Sequence, residues 1–511
     1  MFRSSQLVRS VAGRLISTTG VQAGSPLRTA GVLPQTAASM STVSRCPFTS
    51  GDFTAVAAKT AQTESKCPFH QTPNTTSATS AATGTVIGNT NCRREFTAAS
   101  AQAQAAAAPA APQGLTPEQT AIIKATVPIL ETGGVALTKH FYSLLMKNET
   151  ARTLFNQTHQ FSGAQPRALA FSVLSYAKNI DQLQNLGPLV EQIVHKHCSF
   201  HVMPEHYPIV GENLLRAIRE VLGPQVATDA VIDAWAKAYQ QLADILIAAE
   251  AKVYDEIAAA PGGWRGSREF VVKAKTPASP DGSIVSFDLV PKDGKDVIRY
   301  VPGQYIGIRV RLGDKEEARR NYSLSQAADS KSLRITVKRV DGGLISTHLH
   351  DRVQVGDSIE VLSPAGDFVL KHAEEPLALI SAGVGITPTM AMLQEATAST
   401  APKRKIAFVH YTKSPETHAF AKEVDEIAQH AGVNVFTSYT DPKAPAASSL
   451  RGRVNSDHLN QVIAALGPVE SINAYVLGPE GFMKTVKQEL ISLGVPAEKV
   501  KYEFFGPAQQ I

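Results

Sequence analysis

Several side chains that can bind a metal lie close together in one stretch of the chain. His195, His197 and Cys198 fall within a helical pattern, and His201 and His206 follow shortly after it. Imidazole nitrogens and cysteine thiolates are both ligands that proteins offer to iron. Because most histidines in helices fill a core or face water, the cluster alone leaves the ligand undecided.

A glycine-rich turn is the second candidate for chemistry. It follows an apolar strand pattern, opens a helix, and consists of Gly383, Val384, Gly385, Ile386, Thr387 and Pro388. In such a layout backbone N–H groups can approach a pyrophosphate. The turn is not G-x-G-x-x-G, since Pro388 stands near the place of the third glycine. Ordinary turn glycines of an α/β sheet are the alternative interpretation.

The histidine cluster lies in a region that reads as helical throughout. Thr116-Pro117-Glu118-Gln119 predicts a helix start, with Thr116 as cap and Gln119 as its capping-box partner. Apolar residues recur at helical spacing, and strand patterns are absent. Further helices are predicted near 166–178, 188–198, 208–222 and 229–254. We assign residues 114–260 to an all-α domain.

The pattern then changes to the period of two that is typical of strands. Turn residues such as Pro280-Asp281-Gly282 separate the segments, and six short strands at this spacing predict a small antiparallel β-barrel. We assign residues 265–372 to it, with strands at 269–274, 283–290, 304–310, 320–325, 333–340 and 357–362.

From residue 375 to 511, strand and helix patterns alternate. Strands are predicted at 377–381, 405–411, 433–439, 472–477 and 499–504, with helices at 387–396, 417–431, 456–465 and 481–493. Such alternation predicts a doubly wound α/β domain with a parallel sheet. The glycine-rich turn falls after the first of these strands.

The all-α region resembles the globin domain of the flavohaemoglobin family over residues 115–264. The resemblance rests on the order and spacing of the segments 137–142, 154–156, 195–200 and 204–207. It implies haem b, with His197 as the iron ligand in preference to Cys198. It further implies Tyr207 and Glu250 as partners of that ligand, Tyr142 and Gln165 as a distal polar pair, and Phe155 and Leu169 as apolar haem contacts.

The barrel contains Arg320-Asn321-Tyr322-Ser323, which resembles the Arg-x-Tyr-Ser motif of the ferredoxin-NADP reductase family. The resemblance implies bound FAD. Arg320 would neutralise the pyrophosphate, Tyr322 would stack on the isoalloxazine ring, and Ser323 would donate a hydrogen bond to flavin N5. Asn321 and Tyr300 are expected to be further flavin contacts.

The α/β region resembles the nucleotide-binding domain of the same reductases. Its turn, Gly383 to Pro388, matches their Gly-x-Gly-x-Thr-Pro variant, and Leu477 stands where many relatives carry Cys. The C-terminal segment matches one that covers the flavin and comprises Phe504, Phe505, Gly506 and Pro507. Glu503 and Lys196 match a pair that the family places between reductase and haem.

Together these resemblances predict electron flow from NADH or NADPH through FAD to haem, with O2 and nitric oxide as substrates and nitrate as product. Two other functions fit the same domains. One is a haem-based sensor of O2 or nitric oxide, and the other is a flavin reductase of peroxides or quinones. Tyr142, Gln165 and Glu250 favour the dioxygenase, because a sensor needs no group that pushes electron density to iron.

The first part of the chain has a different composition. Residues 1–51 lack Asp and Glu, and the first 25 are rich in Arg and Ser with spaced apolar residues. This composition predicts a mitochondrial transit peptide and a location in the matrix, either alone or together with a cytosolic pool. Residues 26–113 are predicted to be a disordered low-complexity leader. Cys46 and Cys67 each precede Pro and Phe, which suggests either haem-regulatory motifs or coincidence.

Charge and cysteine content exclude several classes of protein. Residues 1–112 carry nine basic and three acidic side chains, so the remaining chain has a net charge of −1. A nearly neutral body lacks the basic surface of a nucleic-acid binder. Only Cys198 lies outside the leader, so no internal disulfide can hold the folded body. We expect no membrane span, and a monomer or weak dimer.

Overall fold

Three structural units follow one another along the part of the chain that the computed structural model describes. That part comprises residues 114–155, 163–311, 317–371, 374–398, 404–444 and 449–506. The predicted transit peptide, the leader with Cys46 and Cys67, and Pro507 lie outside the described residues. The order of the units agrees with the predicted order: helical, antiparallel β, then α/β.

The first unit is helical, as predicted. Its helices are α1 (Pro117–Ala125), α2 (Val127–Leu145), α3 (Glu149–Leu154), α4 (Ala164–Lys178), α5 (Gly187–Phe200), α6 (His206–Leu222) and α7 (Asp229–Ala259). The capping box at Thr116 and Gln119 is present, which confirms the predicted start of α1. Helix α2 packs on α4 and α6, and α5 packs on α7.

Large apolar side chains fill the space between these helices. Phe141, Leu145, Val194 and Trp235 are all buried there. Burial of one such side chain stabilises a fold by about 1.5–3 kcal/mol. This packing therefore holds the helices at fixed positions relative to one another.

The second unit is an antiparallel sheet of six strands. They are β1 (Ser267–Pro277), β2 (Ile284–Pro291), β3 (Tyr305–Arg311), β4 (Glu317–Ser323), β5 (Leu333–Lys338) and β6 (Ser358–Leu362). Their order is β4-β3-β6-β1-β2-β5, and a bridge between Leu324 and Ile335 connects the two ends. The sheet thus closes into the predicted barrel. One helix, α8 (Leu344–Asp351), follows β5.

The third unit is a parallel sheet flanked by helices. Its strands are β7 (Leu377–Ala382), β8 (Ile406–Thr412), β9 (Asn434–Tyr439), β10 (Leu450–Arg451), β11 (Asn473–Leu477) and β12 (Val500–Tyr502). Its helices are α9 (Ile386–Ala396), α10 (Ala421–Ala431), α11 (Ser456–Leu466) and α12 (Glu480–Ser492). The strand order β10-β9-β8-β7-β11-β12 is doubly wound, with its switch point between β7 and β11.

Helix α10 begins later than the sequence predicts. The predicted start at residue 417 is wrong because Pro415–Thr417 forms a short 3-10 helix and Phe420 has a φ of 60°. The Phe420 N–H donates to the Ala278 carbonyl of the barrel at 3.0 Å. A contact with another unit therefore sets the first residue of this helix.

Among the described residues, no single helix has the length and apolar character needed to cross a bilayer. The pair α1 and α2, bent by 62°, meets the criterion only when both helices are counted together.

Candidate functional site

The helical unit encloses the first part of a cavity of about 440 Å³. This volume lies within the range of pockets that bind small molecules. Six residues that the sequence singled out line the cavity: Tyr142, Phe155, Gln165, Leu169, His197 and Tyr207. They come from α2, the end of α3, α4, α5 and α6, so the packing of these helices brings together residues far apart in the chain.

His197 is the residue whose surroundings best fit a metal ligand. Its Nδ1–H donates to Glu250 Oε1 of α7 at 2.7 Å, and Tyr207 Oη lies 3.2 Å from the same nitrogen. A hydrogen bond from Nδ1–H to a carboxylate fixes the tautomer in which Nε2 carries the lone pair. The imidazole therefore presents a ligating nitrogen from a ring held in one orientation.

Glu250 does not line the cavity and is only 2% exposed. The Tyr207 hydroxyl donates to the same Oε1 atom at 2.5 Å, so that one carboxylate oxygen accepts from both neighbours. Burial and the adjacent Glu250 carboxylate raise the pKa of Tyr207, so its hydroxyl stays protonated as a donor. A carboxylate behind a ligating imidazole makes that imidazole more basic.

Tyr142 and Phe155 form an aromatic wall of the cavity. Their ring centres lie 5.5 Å apart in an edge-on arrangement. Gln165 and Leu169 stand one turn apart on α4 and add a polar and an apolar group to the same lining. Cys198 does not line the cavity, and burial raises the pKa of its thiol, which disfavours a thiolate.

The cavity continues from the helical unit into the barrel and the C-terminal segment. The predicted residues that line this second part are Lys196, Arg320, Asn321, Ser323, Glu503, Phe504, Phe505 and Gly506. Tyr305 and Asp367, which the sequence did not single out for a role, line it as well. The candidate haem residues and most candidate flavin residues therefore share one space.

Two buried polar atoms in this second part fit a polar ligand. Asn321 Oδ1 and Glu503 Oε2 are inaccessible to water and have no hydrogen-bond partner within the described protein. Leaving such an acceptor unsatisfied costs about 1–3 kcal/mol. A bound group with hydrogen-bond donors, such as a flavin, would remove that cost.

Lys196 and Glu503, the pair expected between reductase and haem, are brought close together with Asp367 and Tyr305. Lys196 Nζ lies 4.8 Å from the centre of the Tyr305 ring. Burial lowers the pKa of Lys196, and the carboxylates of Glu503 and Asp367 oppose that shift. Burial also raises the pKa of Glu503, which Lys196 opposes. The site thus holds a lysine and two carboxylates in a poorly solvated position.

Tyr300 and Tyr322 do not line the cavity. The Tyr300 side chain is 3% exposed, and its hydroxyl donates to the Gln326 carbonyl at 2.9 Å. Tyr322 packs against the barrel core and pairs with Ile306 across the sheet. Their roles as flavin contacts stay predictions.

A second cavity, a cleft of about 660 Å³, lies at the carboxyl ends of β7, β8 and β9 and extends past the end of β11. Open α/β sheets bind nucleotides in such a crevice at the switch point of strand order. Of the six turn residues that the sequence singled out, only Gly383 lines the cleft. The other five, Val384, Gly385, Ile386, Thr387 and Pro388, do not line it.

Gly385 is required for packing, which differs from the predicted contact with phosphate. A Cβ atom at this position would lie 2.6 Å from the Leu477 carbonyl oxygen of β11. Only glycine lets the turn after β7 pack so closely on the neighbouring strand.

Sequence reasoning missed most side chains of the cleft. Tyr411, Lys413 and Thr440 stand at or just beyond the ends of β8 and β9, and Arg453 belongs to the same lining. For Tyr411, Lys413 and Thr440, the position at or just after the end of a predicted strand was the available signal, since ligands of parallel sheets bind beyond the carboxyl ends.

Comparison with known proteins agrees with this architecture. Family models match a globin over residues 138–246, an oxidoreductase FAD-binding domain over 269–370 and an oxidoreductase NAD-binding domain over 379–488. A flavohemoprotein of Pseudomonas aeruginosa is 53% identical over 393 residues, which cover 76% of this chain and 98% of the relative. The chain belongs to the flavohemoprotein family.

Further relatives support the same membership. A flavohemoprotein of Pseudomonas putida is 51% identical over 397 residues, covering 77% of this chain and 99% of the relative. The crystal structure of a flavohemoglobin from Malassezia yamatoensis, with bound FAD and heme, superposes with a TM-score of 0.67 at 26% identity. It covers 77% of this chain and 100% of its own.

Membership and the three matched domains establish the cofactors of this flavohemoprotein. Haem belongs to the globin domain, FAD to the barrel and a pyridine nucleotide to the α/β domain. The predicted fold class is confirmed. The chain is therefore an oxidoreductase that joins an NAD(P)H-dependent reductase to a globin.

Proposed function

We propose that this flavohemoprotein is a nitric oxide dioxygenase. The reaction is 2 NO + 2 O2 + NAD(P)H giving 2 nitrate, NAD(P)+ and a proton, which removes nitric oxide. One observation carries the proposal: His197 and the candidate flavin residues Arg320, Asn321 and Ser323 line the same cavity. Electrons released in the reductase thus have a short route to the globin.

The order of electron flow follows from the cofactors. A nicotinamide gives up two electrons together as hydride, whereas haem iron accepts one at a time. Bound FAD supplies the conversion between the two, and bound haem supplies the iron at which O2 and nitric oxide react. The protein holds these groups in the required order along its three domains.

The residues of the globin cavity take distinct roles in this proposal. His197 would ligate iron through Nε2, while Glu250 and Tyr207 hold the imidazole in place and would make it more basic. A basic ligand favours oxygen chemistry over simple oxygen storage. Tyr142 and Gln165 supply polar groups to a lining that Phe155 and Leu169 keep apolar.

The reductase residues bind the flavin and the nucleotide. Arg320 would neutralise the FAD pyrophosphate, Tyr322 would stack on the ring, Ser323 would donate to N5, and Tyr300 and Asn321 would add contacts. The segment Phe504 to Pro507 would cover the flavin, and Lys196 with Glu503 would lie between flavin and haem. The turn Gly383 to Pro388 would receive the pyrophosphate of NADH or NADPH through Gly383, the turn residue that lines the cleft.

An electrode measurement of nitric oxide tests the proposal. The full-length protein with haem and FAD is given nitric oxide and NADH or NADPH, first in air-saturated and then in anaerobic buffer. We expect rapid nitric oxide loss only with O2, and two nitrate ions for each nucleotide oxidised. Loss that does not need O2 would overturn the proposal, as would reduction of peroxides or quinones without nitrate formation.

The variant His197→Ala separates the proposal from its two alternatives. It should lose nitric oxide removal while still reducing ferricyanide, which takes electrons directly from flavin. Undiminished nitric oxide removal by this variant would show that the assigned ligand is wrong. A haem that binds O2 or nitric oxide but gives no turnover would instead indicate a sensor.

Location and assembly are also proposals. We propose that residues 1–25 direct import into the mitochondrial matrix, because they combine Arg and Ser with no acidic residue. A fluorescent fusion of these residues should enter mitochondria, and one lacking them should stay in the cytosol. We expect sedimentation to show a monomer or weak dimer.

A further inference from the structure

The last turn of α5, which carries His197, lies directly against the barrel. Ser199 is in this turn, is 0% exposed, and has no role in the site described above. A fully buried hydroxyl needs hydrogen-bond partners within the protein to offset its desolvation.

Ser199 has such partners. Its hydroxyl donates to the Lys196 carbonyl at 2.7 Å, within its own helix. It also accepts a hydrogen bond from Asn321 Nδ2 of β4 at 2.7 Å. One side chain therefore joins the helix of the iron ligand to strand β4 of the flavin domain.

The backbone around Ser199 is built for the same close approach. A Cβ atom at Gly307 of β3 would lie 2.3 Å from the Ser199 carbonyl oxygen, so only glycine fits there. Arg319 of β4 donates to the Phe200 carbonyl. That carbonyl is one of those left without a helical partner at the end of α5, where a cation is favourable.

Asn321 links this contact to the flavin side. It stands between Arg320 and Tyr322 in the FAD motif and lines the cavity. Its Nδ2 is committed to Ser199, while its buried Oδ1 has no partner within the described protein. The Nδ2 atom of this amide thus binds the helix of the iron ligand, and its Oδ1 atom is left available to a ligand in the cavity.

We infer that Ser199 is a positioning residue that fixes the helix of the iron ligand relative to the flavin-binding strand, and so sets the rate of electron transfer from flavin to haem. The inference rests on the proposed roles of His197 and of the FAD motif. A displacement of about 1 Å at a reacting centre can cost roughly 100-fold in rate. Loss of one positioning hydrogen bond should cost less.

The test uses Ser199→Ala in the full-length protein with haem and FAD. Anaerobic rapid mixing with NADH or NADPH follows flavin bleaching and haem reduction separately by their absorbance. We expect flavin reduction at the wild-type rate, haem reduction slower by about 10-fold, and an unchanged haem midpoint potential. Ser143→Ala is the matched control, because Ser143 makes the same kind of bond to a helix carbonyl on an exposed surface.

Haem reduction at the wild-type rate would overturn the inference. An equal slowing of flavin reduction, or a shifted haem potential, would also overturn it. The measurement contains neither nitric oxide nor O2. It therefore tests electron transfer from flavin to haem even if the proposed dioxygenase reaction is wrong.

Two further measurements guard against a merely unfolded variant. The first is a double-mutant cycle of Ser199→Ala and Asn321→Ala. The double variant should reduce haem no more slowly than Asn321→Ala alone, whereas additive losses in the rate of haem reduction would contradict a shared contact. Amide hydrogen exchange should accelerate at the end of α5 in Ser199→Ala, even without cofactors. Unchanged exchange there would also count against the inference.

Discussion

The globin cavity and the nucleotide cleft differ in how they are built. In the globin domain, all six predicted lining residues face one cavity, and Glu250 supports the ligand from behind. In the nucleotide domain, one of the six residues of the predicted glycine-rich turn lines the cleft. A haem site depends on particular side chains, whereas a phosphate site depends on backbone geometry and strand ends. In the glycine-rich turn, Gly385 is therefore needed for close packing against β11.

Two histidines illustrate the same contrast. His197 faces the cavity and donates to a carboxylate, which suits it to ligate a metal. His410 of β8 is 1% exposed, lies 2.9 Å from Ser381 Oγ and stacks on His418. The first histidine serves a ligand, and the second fills the core of the sheet.

The sharpest test of the globin side is Glu250→Gln, which keeps volume but removes the carboxylate. Replacing a hydrogen-bond partner of a ligating histidine costs about 10- to 100-fold in affinity or activity. We expect that loss in nitric oxide removal, with ferricyanide reduction unchanged. Wild-type activity in this variant would mean that the carboxylate does not act through His197.

On the nucleotide side, Gly385→Ala should destabilise the fold rather than weaken phosphate binding alone. The added Cβ would meet backbone atoms of Leu477 and Gly478, and overpacking of this kind costs about 1–3 kcal/mol. Denaturant unfolding measures this loss. Gly481→Ala is the control, because Gly481 lines the cleft but nothing lies within 4 Å of its added Cβ. Equal stability of both variants would contradict the packing role.

The buried His410 predicts a pH dependence of stability. Burial holds its pKa well below 6.5, with the neighbouring His418 as a second cause. Below pH 6.5 the unfolded chain gains a proton that the folded sheet does not, so stability falls as the pH falls. The slope from this residue is at most about 1.4 kcal/mol per pH unit. Denaturant titrations at several pH values give the free energy of unfolding. Between pH 6.5 and 5 this free energy should fall less steeply with pH in His410→Asn than in the wild type, and an unchanged slope would refute the assignment.

The smallest expected effect is at the rim of the cleft. Lys413 is exposed, so its attraction to a nucleotide phosphate is screened and is worth about 0.2–1 kcal/mol. Lys413→Ala should raise the KM for NADH or NADPH by at most about fivefold, leave kcat unchanged, and lose its effect at high salt. A change in kcat would place Lys413 in the hydride-transfer step instead.

The order and class of the three domains could be predicted from local patterns alone. Helical spacing, strand alternation and the capping box at Thr116 depend on residues that are neighbours in sequence. The start of α10 could not be predicted, because the Phe420 amide is bound to Ala278 of another domain. Two cationic side chains of the cleft, Lys413 and Arg453, were missed for a related reason. They line the same cleft only because the parallel sheet aligns the ends of its strands.

The amino-acid sequence by itself determined which elements form and which side chains can serve iron, flavin and nucleotide, because periodicity and residue chemistry are local properties. Only the tertiary structure decided which histidine receives a carboxylate, since Glu250 reaches His197 from 53 positions away. It also decided that helix α5 rests on β4 through Ser199 and Asn321, 122 positions apart. Such contacts depend on how packed helices and a closed barrel meet, and no local pattern records them.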